Sequence, residues 1–248
     1  MNPLTQPRSP NDPRNPDLLR AMREDREVAD ARSTLMAKGF EFGYHRNFEW
    51  LGIPIIQWPQ DVLALVEILW DVKPTLVVET GVAFGGALVL YASILRLAGI
   101  EPQVLGVELA MRDANRARLA AHPLAKGITI LDGSSTDPAI VAAVAARAAA
   151  AERTLVILDS HHTHEHVATE LDLYARFVTP GSYLIVYGTS VADLPADLAL
   201  DRPWGPERNP GSALADWLPH HPEFAVARDI DDRLVLSDAP GGYLRRLR

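Results

Sequence analysis

Acidic side chains follow four successive apolar runs in this sequence. Glu79 comes after TLVV, Glu108 after VLGV, Asp132 after ITIL and Asp159 after TLVIL. Continuous runs of Val, Leu and Ile are typical of buried parallel strands, whose carboxyl ends meet at one edge of a sheet. We therefore expect the four carboxylates to border a single crevice, where they can bind polar groups of a ligand.

A glycine-rich turn, GVAFGG, follows the first of these acids and precedes a long apolar run. Gly81, Gly85 and Gly86 permit backbone angles closed to other residues and let a ligand approach without a Cβ, and the next helix points its free N–H groups over the turn. The pattern is not GxGxxG, because position 83 is Ala, and it is not a P-loop, because Ala87 follows the last glycine. These differences argue against pyrophosphate and triphosphate ligands.

An S-adenosylmethionine (SAM) site requires an acid at the first turn, an acid after the second strand for the ribose hydroxyls and a polar turn after the third strand for adenine. The chain has these features in order, at Glu79, at Glu108 and at Asp132 with the serines that follow it. The predicted cofactor-binding residues are Glu79, Gly81, Phe84, Gly85, Gly86, Glu108, Asp132, Ser134, Ser135 and Asp159.

Four histidines follow Asp159 in the segment DSHHTHEH. Histidine titrates near neutral pH, so at a strand end it can remove a proton from a substrate hydroxyl; we expect His162, then His164, to be the general base, with Asp159 orienting the base or an ion. His162, Glu165 and His166 also match the zinc hydrolase pattern HxxEH. That pattern should lie within a helix, whereas here it directly follows a buried strand, so zinc hydrolysis is a remote alternative. A third interpretation is that the histidines only cap the next helix or lie at the surface.

Composition excludes several classes of partner and chemistry. The 248 residues carry a net charge of −8 without a basic stripe, which argues against a nucleic-acid partner. The absence of cysteine excludes disulfides and thiolate catalysis and fits a cytoplasmic protein. No run approaches the roughly 20 apolar residues that a membrane span requires, so we expect no membrane partner.

Three regions can be distinguished along the chain. Residues 1–16 are rich in Pro, Asn and Arg and are predicted to form a disordered N-terminal arm. Residues 17–58 are predicted to be a helical and aromatic extension that packs on the core, over a pocket or on a partner subunit, which suggests a homo-oligomer. Residues 59–248 are predicted to form the SAM-binding domain.

Strands and helices alternate through this third region. The predicted strands are 75–79, 103–107, 128–131, 154–158 and 182–187. The predicted helices between and after them are 84–98, 112–121, 137–151 and 164–177. Parallel strands joined by helices form a doubly wound sheet. The segments 224–230 and 232–238 are then predicted to pair as a C-terminal antiparallel hairpin, so the fold class is α/β, the Rossmann-like fold of class I methyltransferases.

Several segments together resemble one known family. They are ETGVAFGGALVLYASIL, the AHPL before ITILDGSS, LDSHHTHEHV, GSYLIVYGTSVADLP, DRPWGPERNP and PGGYLRR. In this order they resemble the cephalosporin hydroxylase-like family, whose relatives include rhamnosyl and macrolide-sugar O-methyltransferases. The likeness extends from about Phe48 to Arg246. It implies SAM binding and methyl transfer to a hydroxyl of a sugar or other natural product, often assisted by Mg²⁺.

One position departs from the family pattern. The resemblance implies an acidic pair, or an aromatic residue followed by Asp, after the fifth strand, where these acids hold a metal together with the fourth-strand acid. This chain has Tyr187 and Gly188 there, which leaves Asp159, with Asp193 as a candidate substitute. Tyr187 is a candidate hydrogen-bond donor or wall of the acceptor pocket. A SAM-binding relative with a lost or repurposed activity, independent of metal, is therefore a further alternative.

Overall fold

The computed structural model describes residues 15–195, 198 and 202–248. The predicted disordered arm lies outside the described residues except for its last two positions. The helices are α1 (Pro16–Glu24), α2 (Arg26–Glu41), α3 (Pro59–Val72), α4 (Gly86–Leu97), α5 (Asp113–Ala120), α6 (Pro138–Ala148), α7 (His164–Tyr174), α8 (Pro210–Trp217) and α9 (Arg228–Asp231). The strands are β1 (Phe48–Trp50), β2 (Ile53–Ile55), β3 (Leu76–Thr80), β4 (Val104–Glu108), β5 (Ile128–Asp132), β6 (Thr154–Leu158), β7 (Tyr183–Val186), β8 (Phe224–Val226) and β9 (Tyr243–Arg246).

A seven-stranded sheet organises the described residues, in the order β5-β4-β3-β6-β7-β9-β8. Strands β3 to β7 are parallel, and β9 and β8 are antiparallel to their neighbours. The strand order reverses between β3 and β6, so a crevice opens at the carboxyl ends of these two strands. The predicted doubly wound α/β class is confirmed, and each of the five predicted parallel strands agrees with the structure to within one residue at either end.

The centre of the sheet is buried on both faces. Every residue of β3 and β6 is buried, since helices cover both sides. Val77 and Ile157 belong to the hydrophobic cluster on one face, whereas Val78 and Val156 belong to the cluster on the other. This explains why these strands read as uninterrupted apolar runs rather than as an alternating pattern. The acids at their carboxyl ends are the first polar groups beyond this core.

The C-terminal antiparallel pair is present, but its second strand is not the predicted one. Helix α9 follows β8, and the second strand is β9 (Tyr243–Arg246), which pairs with both β8 and β7. The predicted segment 232–238 is not a strand. Its end is held outside the sheet by the buried Asp61 carboxylate, which accepts hydrogen bonds from Ser237 Oγ at 2.6 Å and from the Asp238 N–H at 2.7 Å. Tertiary hydrogen bonding therefore outweighs the local strand preference of DRLVLSD.

The segment before the main sheet packs on it. The hairpin β1–β2 lies against α4, where Trp50 Nε1 donates to Ser93 Oγ at 3.0 Å. Its backbone comes so close that a Cβ at Gly86 would lie 2.3 Å from the Pro54 carbonyl oxygen. Arg23 of α1 pairs with buried Asp231 of α9, which connects the first helix to the C-terminal part of the fold. Among the described helices, none is long and apolar enough to cross a membrane.

Candidate active site

A cavity of about 840 Å³ opens at the carboxyl ends of the central strands. Its volume lies within the range of about 300–1,000 Å³ that is common for small-molecule sites. Residues that the sequence singled out line it as follows: Glu79, Gly81, Phe84, Gly86, Glu108, Ser134, Ser135, Asp159 and His162. Four further predicted residues, Gly85, Asp132, His164 and Tyr187, do not line it. The single crevice expected from the strand ends is therefore present, but fewer residues line it than the sequence predicted.

The glycine turn takes its shape from packing within the protein. Gly81 and Gly85 both have positive φ, +82° and +89°. A Cβ at Gly81 would lie 2.2 Å from the Asp159 carbonyl oxygen, so the glycine permits close contact between two loops rather than contact with a ligand. Ala83 also has a positive φ, +52°, which is strained for a residue with a side chain. The turn thus uses an alanine where GxGxxG sequences have a glycine.

Glu108 holds the glycine turn from the neighbouring strand. Its Oε2 accepts hydrogen bonds from the N–H groups of Val82, at 2.9 Å, and Ala83, at 3.0 Å, and its Oε1 accepts from Ala110 N–H at 3.2 Å. Each carboxylate oxygen can accept more than one hydrogen bond. Because Glu108 also lines the cavity, it can accept further bonds from ligand hydroxyls while it braces the turn.

Glu79 presents an unsatisfied oxygen to the cavity. Its side chain is buried, and Oε1 accepts a hydrogen bond from Tyr91 OH at 2.8 Å. Oε2 is buried and has no hydrogen-bond partner among the described residues. Burial, with a smaller contribution from the negative charge of Glu108, raises the pKa of Glu79 to about 8. A buried acceptor without a donor is unfavourable, so this oxygen suits a cationic or hydrogen-bond-donating ligand group.

The third predicted acid points elsewhere. Asp132 ends the edge strand β5, is largely exposed and forms an ion pair with Arg116. The residues that follow it line the cavity instead: Ser134 and Ser135 lie there with Gly133. The turn after the third strand is therefore part of the site through its serines, whereas the expectation for the Asp132 carboxylate does not agree with the structure.

His162 lies beside Asp159 at the inner end of the cavity. Its Nε2 is 3.7 Å from Asp159 Oδ1, and its ring centroid is 6.0 Å from that of Trp204. Burial lowers the pKa of His162 to about 4, so the imidazole is uncharged at pH 7 and retains a free lone pair. Burial and the neighbouring carboxylates, Asp238 foremost, raise the pKa of Asp159 well above its ordinary value. The two side chains are therefore close together, and burial disfavours the charged form of each.

Of the remaining histidines, His161 and His166 line the cavity and His164 does not. His164 Nδ1 lies 2.8 Å from Ser212 Oγ of α8, outside the cavity, so the structure does not support it as a base. His166 lines the cavity wall and contacts Ser135 Oγ at 3.1 Å. Glu165 is exposed and pairs with Arg208.

The HxxEH pattern does not assemble into a metal site. Within the described part of the chain, the one group of His and acidic residues close enough to share an ion is Asp159, His162 and Asp238, which omits Glu165 and His166. The zinc-hydrolase alternative therefore has no support in the geometry.

Asp238 is a site residue that the sequence did not reveal. It lines the cavity, and its carboxylate accepts hydrogen bonds from Gly188 N–H at 3.0 Å and from Ser190 Oγ at 2.6 Å. It thus lies beside the position where the family resemblance implied an acid. Asp193, the expected substitute, is exposed and outside the cavity. Nothing in the segment SDAPGG marks its acid in advance, because the loop reaches the site through tertiary packing.

Tyr187 is a core residue rather than a wall of the pocket. Its side chain is 1% exposed, and its ring packs edge-on against that of Tyr243, with 6.4 Å between centroids. The cavity is lined instead by other aromatic side chains, Phe40, His45 and Trp58 of the N-terminal segment and Trp204. The expectation that the aromatic segment packs on the core and over a pocket agrees with this arrangement.

Comparison with known proteins identifies the family. The family model described as "Rhamnosyl O-methyltransferase/CmcI" matches residues 42–247. This chain belongs to the rhamnosyl O-methyltransferase/CmcI family. The resemblance found in the sequence motifs is thereby confirmed.

Curated relatives in the rhamnosyl O-methyltransferase/CmcI family extend over most of the chain. A rhamnosyl O-methyltransferase of Mycobacterium tuberculosis (strain ATCC 25618 / H37Rv) is 27% identical over 221 residues, which cover 86% of each protein. A rhamnosyl O-methyltransferase of Mycobacterium leprae (strain TN) is 31% identical over 159 residues, which cover 61% of this chain and 66% of the relative. The family match therefore includes the sheet and the cavity.

Solved structures share the fold. A CmcI structure with Mg and SAM has a TM-score of 0.57 at 16% identity, and the match covers 82% of this chain and 78% of that one. An O-methyltransferase from Bacillus cereus in complex with SAH has a TM-score of 0.50 at 11% identity, with 85% and 90% covered. At these identities the similarity concerns the fold, which is that of the methyltransferases.

Proposed function

We propose that this protein is a SAM-dependent O-methyltransferase that methylates a hydroxyl of a sugar or natural product, with His162 as general base. One observation carries the proposal. The same cavity contains two carboxylates at successive strand ends, Glu79 and Glu108, and an uncharged histidine beside Asp159. The first two suit a nucleoside cofactor, and the last two suit removal of a proton from an acceptor.

The residues present fit SAM at the first crossover. Glu79 Oε2, buried and without a partner in the described chain, suits the ammonium group of the cofactor. Glu108 retains acceptor capacity for ribose hydroxyls, and Ser134 and Ser135 offer hydroxyls at the third strand end. When bound, SAM supplies an electrophilic methyl carbon on a sulfonium. This part of the cavity is therefore the proposed cofactor end.

We assign the removal of the acceptor's proton, at the other end of the cavity, to His162. With the methyl donor bound, the imidazole lone pair of His162 would take the proton that the acceptor hydroxyl loses on methylation. Asp159 Oδ1 is 3.7 Å from His162 Nε2, beyond hydrogen-bond distance but close enough to stabilise the imidazolium electrostatically. Positive charge that forms on His162 is thus offset locally.

Aromatic side chains favour a sugar acceptor at the outer end of the cavity. Trp204 lies near His162, and Phe40 and Trp58 also line the cavity. Aromatic faces combined with a few polar atoms suit the apolar faces and hydroxyls of a pyranose. Trp58 Nε1 is buried without a partner among the described residues and can donate to an acceptor hydroxyl. The rhamnosyl O-methyltransferase relatives make a deoxyhexose the first acceptor to test.

Calorimetric titration with S-adenosylhomocysteine (SAH) tests the cofactor assignment. We expect a single site that is filled with measurable heat by the wild-type protein. Because a nucleoside cofactor is the premise of the whole proposal, the absence of binding would remove it. Incubation with SAM and a rhamnosyl glycoside, followed by mass spectrometry, then tests for one added methyl group.

A matched pair of histidine variants tests the base. General bases contribute about 10²–10⁴-fold to rate. We expect His162→Gln to lose activity on this scale while its affinity for SAH stays close to that of the wild type. His164→Gln, which alters a histidine outside the cavity, should retain most of the activity. Loss of activity in the second variant and not the first would contradict the assignment.

A binding protein without methyl transfer is the second candidate. It is favoured by the replacement of the expected strand-end acids by Tyr187 and Gly188. It predicts SAH binding equal to that of an active enzyme but no added methyl group on any acceptor. The mass measurement therefore separates the two candidates.

A further inference from the structure

Two carboxylates from distant parts of the chain meet at the inner end of the cavity. Asp159 follows β6, whereas Asp238 lies in the loop before β9, and each can offer an oxygen within 4.8 Å of the other and of a His162 nitrogen. We propose that Asp159 and Asp238 are ligands of a divalent cation of the Mg²⁺ or Mn²⁺ type. Asp238 takes the role of the acid that is missing at Gly188, and the proposal rests on the proposed function for the cation's place beside the acceptor.

Charge is the first argument. Asp159 and Asp238 are partly buried, and two fully buried acids, Glu79 and Asp61, are close enough to influence Asp159 electrostatically. In the described chain, neither Asp159 nor Asp238 forms an ion pair with Lys or Arg. Buried carboxylates without a counter-charge are strongly disfavoured. A divalent cation between them supplies the missing charge.

The hydrogen bonds that orient the Asp238 carboxylate are the second argument. Gly188 N–H donates to its Oδ2 at 3.0 Å, and Ser190 Oγ donates to its Oδ1 at 2.6 Å. Such bonds orient metal-binding carboxylates in the way that outer-shell groups do in known sites, and each oxygen keeps a lone pair for an ion. The absence of a side chain at position 188 leaves room for the His162 ring, because a Cβ there would lie 2.7 Å from His162 Cδ2.

Gln57 is an independent indication of a ligand at this point. Its side chain is 4% exposed, and its Nε2 donates to Asp159 Oδ2 at 3.2 Å. Its Oε1 is buried and unpartnered among the described residues. Amide oxygens are ordinary ligands of hard divalent cations, and the two ends of a glutamine amide can exchange places by rotation. Gln57 is therefore suited to add a third oxygen next to Asp159.

His162 remains the base under this proposal. Hard cations prefer oxygen ligands, and carboxylate, amide and water oxygens are available here. The imidazole then lies next to a hydroxyl that the cation polarises, where it can take the proton. This division of roles makes Asp238 and His162 separable by experiment, because one affects ion binding and the other affects proton transfer.

Binding of Mn²⁺ to the purified full-length protein, followed by electron paramagnetic resonance, tests the site without turnover. We expect saturable binding at one site in the wild type and a loss of affinity of at least about tenfold in Asp238→Asn. Asp193→Asn makes the same charge change at an exposed position outside the cavity and should bind as the wild type does. Ser190→Ala, which leaves both ligands in place, should weaken binding to a smaller extent and serves if Asp238→Asn folds poorly.

Three results would overturn the proposal. They are no saturable binding by the wild type at millimolar Mn²⁺, unchanged affinity in both Asp238→Asn and Ser190→Ala, and equal losses in Asp238→Asn and Asp193→Asn. His162→Gln should keep its affinity for Mn²⁺, and a loss equal to that of Asp238→Asn would make it a ligand and contradict the division of roles. Titration of SAH in the presence of a chelator reports on the proposed function separately, so failure of one does not imply failure of the other.

Discussion

A β carbon at Gly188 would lie 2.7 Å from His162 Cδ2, so the glycine and the imidazole ring occupy adjoining space. Gly188 also has a φ of +76°, a conformation that L side chains rarely adopt. The residue after the fifth parallel strand therefore lacks a side chain for two physical reasons, and one of them is the position of His162.

Gly188→Ala is expected to displace His162 and lower stability. The positive φ alone costs about 1–2 kcal/mol, and the contact with the ring adds to it. In a His162→Ala background the same change should cost less, because only the φ cost remains. Urea unfolding of the wild type, both single variants and the double variant measures this coupling. Strictly additive free energies of unfolding would show that the two residues do not constrain one another.

Glu108→Gln is expected to weaken SAH binding about 10–100-fold, because charge-assisted hydrogen bonds contribute about 1.5–3 kcal/mol. The amide retains one acceptor for the glycine turn, so the fold should persist. Asp132→Asn is the matched control, since it ends the adjacent strand but pairs with Arg116 outside the cavity. Calorimetric titration of both variants checks this, and equal losses in the two would contradict the structure's distinction between them.

His45 is expected to make the folded protein less stable in acid. Burial, with a smaller contribution from Arg46, lowers the pKa of His45 from its ordinary value of 6.5 to about 4. The unfolded chain therefore binds a proton between these values that the folded protein does not, so stability falls as pH decreases from 6.5 to 4.

The matched variant for this effect is His45→Gln. Between about pH 7.5 and about pH 5.5, one unit either side of the ordinary histidine pKa of about 6.5, its melting temperature should fall less than that of the wild type. Buried carboxylates such as Glu79 contribute the same pH dependence to both proteins, so the difference isolates His45. Parallel melting curves at the two pH values provide the measurement, and identical pH dependence would rule out the buried, uncharged state.

The fold class and the position of the cavity could be predicted from local patterns. Continuous apolar runs such as TLVV and TLVIL indicate buried parallel strands, and parallel strands necessarily bring their carboxyl ends together. Glu79, Glu108 and Asp159 were therefore found from sequence, as was His162. In each case the signal lies within a few residues of the strand that positions the side chain.

The direction in which a side chain points and the packing between distant segments could not be predicted from local patterns. Whether a strand-end acid faces the cavity depends on its neighbours, and Asp132 turns to Arg116 at the edge of the sheet. The segment 232–238 was expected to be a strand, but bonds to Asp61 hold it in a loop. That loop places Asp238 in the site. No feature of the neighbouring sequence predicts this position.

By itself, the sequence determined the doubly wound fold, the crevice and most of the acids that border it, because these follow from hydrophobic runs and short-range turn chemistry. Only the tertiary structure decided which side chains converge there. Hydrogen bonds from Gly188 N–H and Ser190 Oγ hold Asp238 in the site, whereas His164 contacts Ser212 outside the cavity. Such choices depend on contacts between residues far apart in the chain, and local periodicity carries no information about them.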